Sequence, residues 1–218
     1  MTLRAEDFVD LILRRRSVRS GYDNQVIPRA TLERVVQCGL AAPWSKGASP
    51  LHLTVVTDRH RMAELAEIVV AAIGIDSYTP HDPRTGLPHP DWESTVIESA
   101  AVLAQVAAGI FVENAGPFSG GRRALLEADP RARELAIVGF ELELAGLGAA
   151  LENMWLAAIA EGLSAAFLGD IGVAEDAIKQ DLSLSGDLLG VLVLGNADPA
   201  HIPPPRSLVG SPGVCWNP

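Results

Sequence analysis

A long run of small and apolar residues at about 135–162 limits the fold more than any other stretch, and it reads as the longest helix of the chain. It is built mostly from Ala, Leu, Gly and Glu, with Gly139, Gly146 and Gly148 on or near one face. Glycine inside a helix costs stability, so it is tolerated where another backbone comes close. That neighbour is either the rest of the core or a second copy of the chain, and the second is the reading preferred here. Glu141, Glu143, Glu152 and Glu161 interrupt the apolar stretch 139–163 and argue against a membrane span.

The other elements are arranged around this helix. Phe8, Leu11 and Ile12 are spaced as one face of an amphipathic helix that ends at Arg14 to Arg19. Gly21 to Asn24 reads as a turn, and Pro28 opens a helix running to about Leu40, with Leu32, Val35, Val36 and Gly39 on one face. A small-residue loop, 42–50, leads into a strand at 52–57, and Asp58 caps a helix over roughly 59–73. Residues 75–92 are an irregular loop, 102–107 a second strand extending as far as Val112, and 114–121 a flexible glycine-rich loop. After the long helix come a short strand and turn at 163–170, a helix over 173–182, a strand over 187–195 and an extended tail. This order predicts a single α+β domain, 1–218, with a central, mainly antiparallel sheet of four or five strands flanked by helices.

Arg14, Arg15, Arg16, Ser17 and Arg19 concentrate positive charge in a chain whose net charge is −10. One reading is a helix C-terminus whose arginines satisfy the last carbonyls and the macrodipole. The other is an anion clamp, because guanidinium groups grip phosphate bidentately and Ser17 adds a hydroxyl donor. The acidic balance argues against nucleic acid, so the clamp's target would be small, such as one phosphate group. Cys38 reads as a buried small residue and Cys215 lies near the end, so no disulfide framework is expected. With no signal-peptide core in residues 1–20, the chain reads as a soluble cytoplasmic protein.

His81 and His89 lack a cysteine or carboxylate at ligand spacing, so no metal site is expected. The chain shows no Gly-x-Ser-x-Gly, no His-Glu-x-x-His and no phosphate-cradling P-loop. An anion clamp and polar loops without acid–base machinery suit a protein that leaves the difficult step to a cofactor.

Four segments together resemble the FMN-dependent nitroreductase family. They are Arg15-Arg16-Ser17-Val18-Arg19 with Ile27 to Leu32, then Ala41-Ala42-Pro43-Trp44-Ser45, then Gly148 to Ala158 with Gly162 to Asp170, and last Gly195 to Pro199 with Pro205-Arg206. The resemblance implies a homodimer with FMN at the interface, the long helix forming part of that interface. It also implies NAD(P)H as donor and a small-molecule acceptor. Arg15, Arg16, Ser17, Arg19 and Arg206 would hold the phosphate and ribityl chain. Leu168, Gly169 and Asp170 would lie by the flavin N5 edge, and Pro43, Trp44, Ser45 and Gly47 along the ring.

The loop departs from the family's Ala-Pro-Ser-Ser-Gly-Asn-x-Gln-Pro-Trp pattern. Gly47 and Ser49 stand where ring-contacting amides are usual, and Trp44 narrows the pocket. Lys46 is either an exposed loop lysine or a cation reaching the flavin N1–C2 edge to stabilise the reduced anion. The implied function is NAD(P)H-driven, two-electron reduction of a nitro, quinone or related acceptor by a ping-pong exchange. An oxygen-linked dehydrogenase of a biosynthetic pathway and a non-catalytic flavin-binding module are the alternatives.

Overall fold

The computed structural model describes residues 4–23, 25–75 and 78–206. The helices are α1 (Ala5–Arg14), α2 (Arg29–Leu40), α3 (Arg59–Val70), α4 (Val96–Leu103), α5 (Gly121–Glu127), α6 (Pro130–Ala160) and α7 (Glu175–Leu182). The strands are β1 (Leu51–Val56), β2 (Ala108–Asn114), β3 (Ser164–Leu168) and β4 (Asp187–Gly195). They form one antiparallel sheet in the order β1-β2-β4-β3, with Leu53 opposite Val112, Phe111 opposite Val191 and Ala166 opposite Val193.

Alternation along the strands separates two apolar cores. Phe111, Val191 and Val193 face α3, α4 and α7, where Met62, Leu65, Leu103 and Ile178 pack. Ile110, Val112, Leu192 and Leu194 face α2 and α6, against Leu32, Val35, Leu147 and Met154. Asp58 caps α3 as expected, accepting from the N–H groups of His60 and Arg61.

Three expectations are corrected. The apolar run at 102–107 is not a strand: Val96–Leu103 is helical, and the strand is Ala108–Asn114. Exposed Ile97 and Ala101 are as apolar as the buried face of α4, which hides the period, and the shift from Ala-rich sequence to Ile110-Phe111-Val112 marks the change. The Thr95-Val96-Ile97-Glu98 spacing, an S/T-x-x-E helix entry, is the signal that was passed over. Cys38 is exposed, because α2 buries Leu32, Val35 and Gly39 instead. Cys215 and Asn24 lie outside the described residues.

The third correction concerns α6, which begins earlier than expected, at Pro130, behind the Asp129 cap. Two of its glycines are taken up within the chain. A Cβ at Gly139 would lie 2.9 Å from Phe118 Cβ, and one at Gly146 would lie 2.9 Å from Trp44 Cε3. Each seats an aromatic residue from a loop. Gly148 meets nothing within 4 Å.

Between these two seats, Glu143 is buried at 2% exposure and pins the glycine-rich loop. Its carboxylate accepts from Asn114 Nδ2 (3.0 Å), Phe118 N (2.7 Å), Ser119 N (2.9 Å) and Ser119 Oγ (2.6 Å). Burial alone pushes the Glu143 pKa up. The hydrogen bonds from Ser119, Asn114 and Phe118 outweigh it, so the net shift is downward. The loop expected to be flexible is therefore anchored through a charge on α6.

Replacing Glu143 with Ala leaves four buried donors unpaired and should destabilise the protein by roughly 3–5 kcal/mol in denaturant titration. A depressed native pKa means that the unfolded chain binds the proton more readily. The contribution is complete above the unfolded glutamate pKa of about 4.5 and is lost as pH falls through the native value. Glu143→Gln should accordingly lose less melting temperature than the parent over that acidic range. At Gly146, a valine should displace Trp44 at a cost of about 1–3 kcal/mol, read by thermal melting and a shifted tryptophan emission.

Candidate active site

The arginine cluster leaves α1 as an extended strand-like segment rather than as a helix end alone. Arg15 is the C-cap, and its N–H donates to the carbonyls of Leu11 and Ile12. Two residues on, Ser17 bridges to Ala165 in parallel, and Val18 N–H donates to Ala165 O at 3.0 Å. The cluster is thereby fastened to β3, at the edge of the sheet.

The tail returns to the same place. Arg206 N–H donates to Leu13 O at 2.9 Å, satisfying one of the last carbonyls of α1, and the Arg16 guanidinium donates to Pro204 O. The backbone of Arg206 and the Arg16 guanidinium are thus brought to the same end of α1, next to Ser17. Arg19 lies beside Tyr22, whose phenol burial pushes up and Arg19 partly draws back. Among the described residues, no carboxylate pairs with Arg16, Arg19 or Arg206. Arg15 is turned elsewhere: its Nε lies 2.9 Å from Glu152 Oε1, and its guanidinium stacks 4.4 Å from the Trp155 ring.

β3 runs from this cationic segment to Leu168, Gly169 and Asp170. Leu168 is buried, so only its backbone can reach a ligand. Gly169 and Asp170 open a short 3₁₀ turn, Asp170–Ala174, in which Gly172 N–H donates to Gly169 O at 3.1 Å. The Asp170 side chain points to the start of α4, where Oδ2 accepts from the hydroxyls of Thr95 and Ser99. Tyr78, from the long irregular segment, is close by. Burial raises its pKa, the Asp170 charge raises it further, and Arg122 opposes.

The loop carrying Pro43, Trp44, Ser45, Lys46 and Gly47 sits elsewhere. It is seated on α6 at Gly146, and among the described residues no backbone hydrogen bond joins it to the arginine segment. Ser45–Gly47 forms a 3₁₀ turn in which Lys46 takes φ +51° and Gly47 φ +72°. The left-handed region is costly for a lysine. Its ammonium lies 5.9 Å from the centre of the Phe118 ring and has no carboxylate partner among the described residues. Ser49 Oγ accepts from Leu51 N–H at 3.2 Å and serves the entry to β1. Trp155, against which Arg15 stacks, follows Gly146 by nine positions, about 13 Å along the axis of α6, and both are buried.

The residues that sequence reasoning missed here are Phe118, Tyr78, Thr95 and Ser99, together with the Glu143 anchor. Glu143 stood out only as a charge within an apolar stretch. Among the described residues, no three His, Cys, Asp or Glu side chains are grouped to hold a metal ion. No helix among them is long and apolar enough to cross a membrane.

The nitroreductase family model matches residues 12–196. No curated protein matches the sequence. Solved structures do share the fold. The NADPH:FMN oxidoreductase from Vibrio harveyi, complexed with NAD+, is 20% identical, with a TM-score of 0.62 over 96% of this chain and 79% of that one. Nitroreductase A from Vibrio parahaemolyticus is 21% identical, with a TM-score of 0.61 over 90% and 70% of the two chains. A candidate nitroreductase from Desulfovibrio desulfuricans, in complex with FMN, is 18% identical, with a TM-score of 0.60 over 95% and 94%. Matched over most of its length and folded like these proteins, the chain belongs to the nitroreductase family.

Proposed function

We propose that this chain is an FMN-dependent oxidoreductase that uses NAD(P)H for the two-electron reduction of a nitro, quinone or related small acceptor. The observation that carries the reading is β3 with its two ends. Arg16, Ser17 and Arg206 gather at one end, and the Gly169–Asp170 turn lies at the other. Arg16, Arg19 and Arg206, without carboxylate partners among the described residues in a chain of net charge −10, fit the phosphate of a mononucleotide. The flavin ring, when bound, supplies hydride acceptance from NAD(P)H and electron donation to the acceptor.

In this reading, Arg16, Arg19 and Arg206 bind the phosphate, and Ser17 faces the ribityl hydroxyls. Arg15 braces the clamp through Glu152 and Trp155. The backbone of Leu168, Gly169 and Asp170 lies along the ring's N5 edge. Pro43, Trp44, Ser45 and Gly47 form a wall, with Lys46 as the cation offered to the ring. Both substrates use the same face in turn, which makes the exchange ping-pong.

The reading requires a second copy. Clamp and wall meet α6 at separate points, Trp155 and Gly146, nine residues apart, which is compatible with a site made from the clamp of one protomer and the wall of its partner. α1 has no buried residue and exposes Phe8, Val9 and Ile12, and α6 exposes Leu135, Val138 and Leu142. Association would remove this apolar surface from water, as would a backbone seated at the open Gly148.

Purified protein should be yellow and elute as a dimer. NADPH should bleach the flavin absorbance within seconds under anaerobic stopped-flow mixing. A flavin that stays oxidised would point instead to the oxygen-linked dehydrogenase, and a colourless protein would overturn the reading. Arg16→Ala should weaken FMN binding by about 1.5–3 kcal/mol in fluorescence titration, the scale of a charge-assisted contact.

A further inference from the structure

The Asp170 side chain is unusual in where it goes. Its residue opens the turn that the proposed reading sets at the ring's N5 edge, yet its carboxylate reaches away to another element. Oδ2 accepts from Thr95 Oγ1 and from Ser99 Oγ at 3.0 Å, and Oδ1 is enclosed without a hydrogen-bond partner among the described residues. Ser99 is 2% exposed.

Thr95 is the residue before α4, where a threonine hydroxyl ordinarily accepts an N–H of the first helical turn. Here it makes no such cap. The hydroxyl donates to Asp170 instead, and Ser99 joins it from the first turn. Two hydroxyl donors and a helix N-terminus therefore hold one negative charge. Among the described residues, Tyr78, from the irregular segment, feels its charge, and Arg122, from α5, acts on the same phenol in the opposite sense. The Arg122 guanidinium is engaged by Glu175, and no ion pair neutralises Asp170 among the described residues.

We propose that Asp170 is a positioning residue whose carboxylate, gripped by Thr95 and Ser99, fixes the Gly169–Asp170 backbone against the flavin ring and lowers the flavin's reduction potential. The inference rests on the proposed FMN reading. Hydride transfer moves two electrons and one proton from NAD(P)H to the ring and releases NAD(P)+, so the ring's charge becomes more negative by one. A fixed carboxylate behind the N5 edge opposes that change. The grip on both hydroxyls also holds the backbone still, and transfer rates depend steeply on such placement.

The test uses the flavin-loaded, full-length protein. Asp170→Asn keeps the shape and removes the charge. It should retain FMN, with a dissociation constant within about twofold of the parent by fluorescence titration, because the phosphate clamp is untouched. Its midpoint potential, by anaerobic spectroelectrochemistry, should rise by about 30 mV, a tenfold change in the two-electron equilibrium. An Asp170→Asn protein that binds FMN at the parent potential overturns the proposal. Should that variant fail to fold, the double variant Thr95→Val, Ser99→Ala keeps the charge and removes the grip. It should slow reduction of bound flavin by NADPH about tenfold without loss of FMN, the Thr95→Ser single variant keeping the parent rate. Unchanged reduction in the double variant overturns the proposal. A parent protein that binds no FMN overturns the underlying reading instead, before any variant is made.

Discussion

The site depends on a backbone joint, the pairing of Ser17 and Val18 with Ala165 on β3. A guanidinium group on a free helix end could point anywhere. Tied to the edge of a sheet, and met there by the returning tail at Leu13 and Pro204, it gains a fixed direction relative to the turn at Gly169. The joint uses main-chain groups, so it asks little of the side chains it carries. Val18 is buried and anchors the segment, which leaves its neighbours free to face a ligand.

The second organiser is α6, which does more than fill the core. One stretch of it, from Gly139 through Glu143 to Gly146, holds two loops by two different means. Gly146 admits the Trp44 ring and Gly139 the Phe118 Cβ and backbone by close approach, while the glutamate fixes backbone by charge. Loops held this way carry precise geometry without regular structure of their own. The same helix, further along, supports the arginine segment through Glu152 and Trp155. One helix thus supports both the arginine segment and the loop that carries Trp44.

Much of this was legible in the residues. The last strand was readable as Asp187–Gly195, and the cap at Asp58 from a single side chain. The return of the tail toward Arg16 was implied by the family resemblance, and the bond from Arg16 to Pro204 O brings the two together. What escaped had a common cause. At 108–114 every residue is buried, and at 96–103 the exposed positions include the apolar Ile97 and Ala101, so apolar character alone does not mark where the helix ends and the strand begins. Glu143 and Thr95 were visible, but each meets a partner distant in sequence, Ser119 and Asp170 respectively. Local pattern reports what a residue does for its own turn. Thr95 looks like a cap and is not one, because the carboxylate of Asp170, distant in sequence but packed beside α4, claims its hydroxyl. Gly139 and Gly146 marked a close approach correctly, but nothing in their spacing says whose atoms approach.

One edge of the sheet has a further consequence. β3 is partly covered by Ser17 and Val18, but among the described residues no strand pairs with the outer side of β1. Its unpaired N–H and C=O groups are a template for any passing strand. The surplus of acidic residues works against such encounters, since like-charged copies repel. That protection fades as the solution approaches the isoelectric point of about 4.9. Colloidal stability and the sheet's open flank are therefore linked through pH, and neutral or mildly alkaline buffers at modest salt keep the molecules apart.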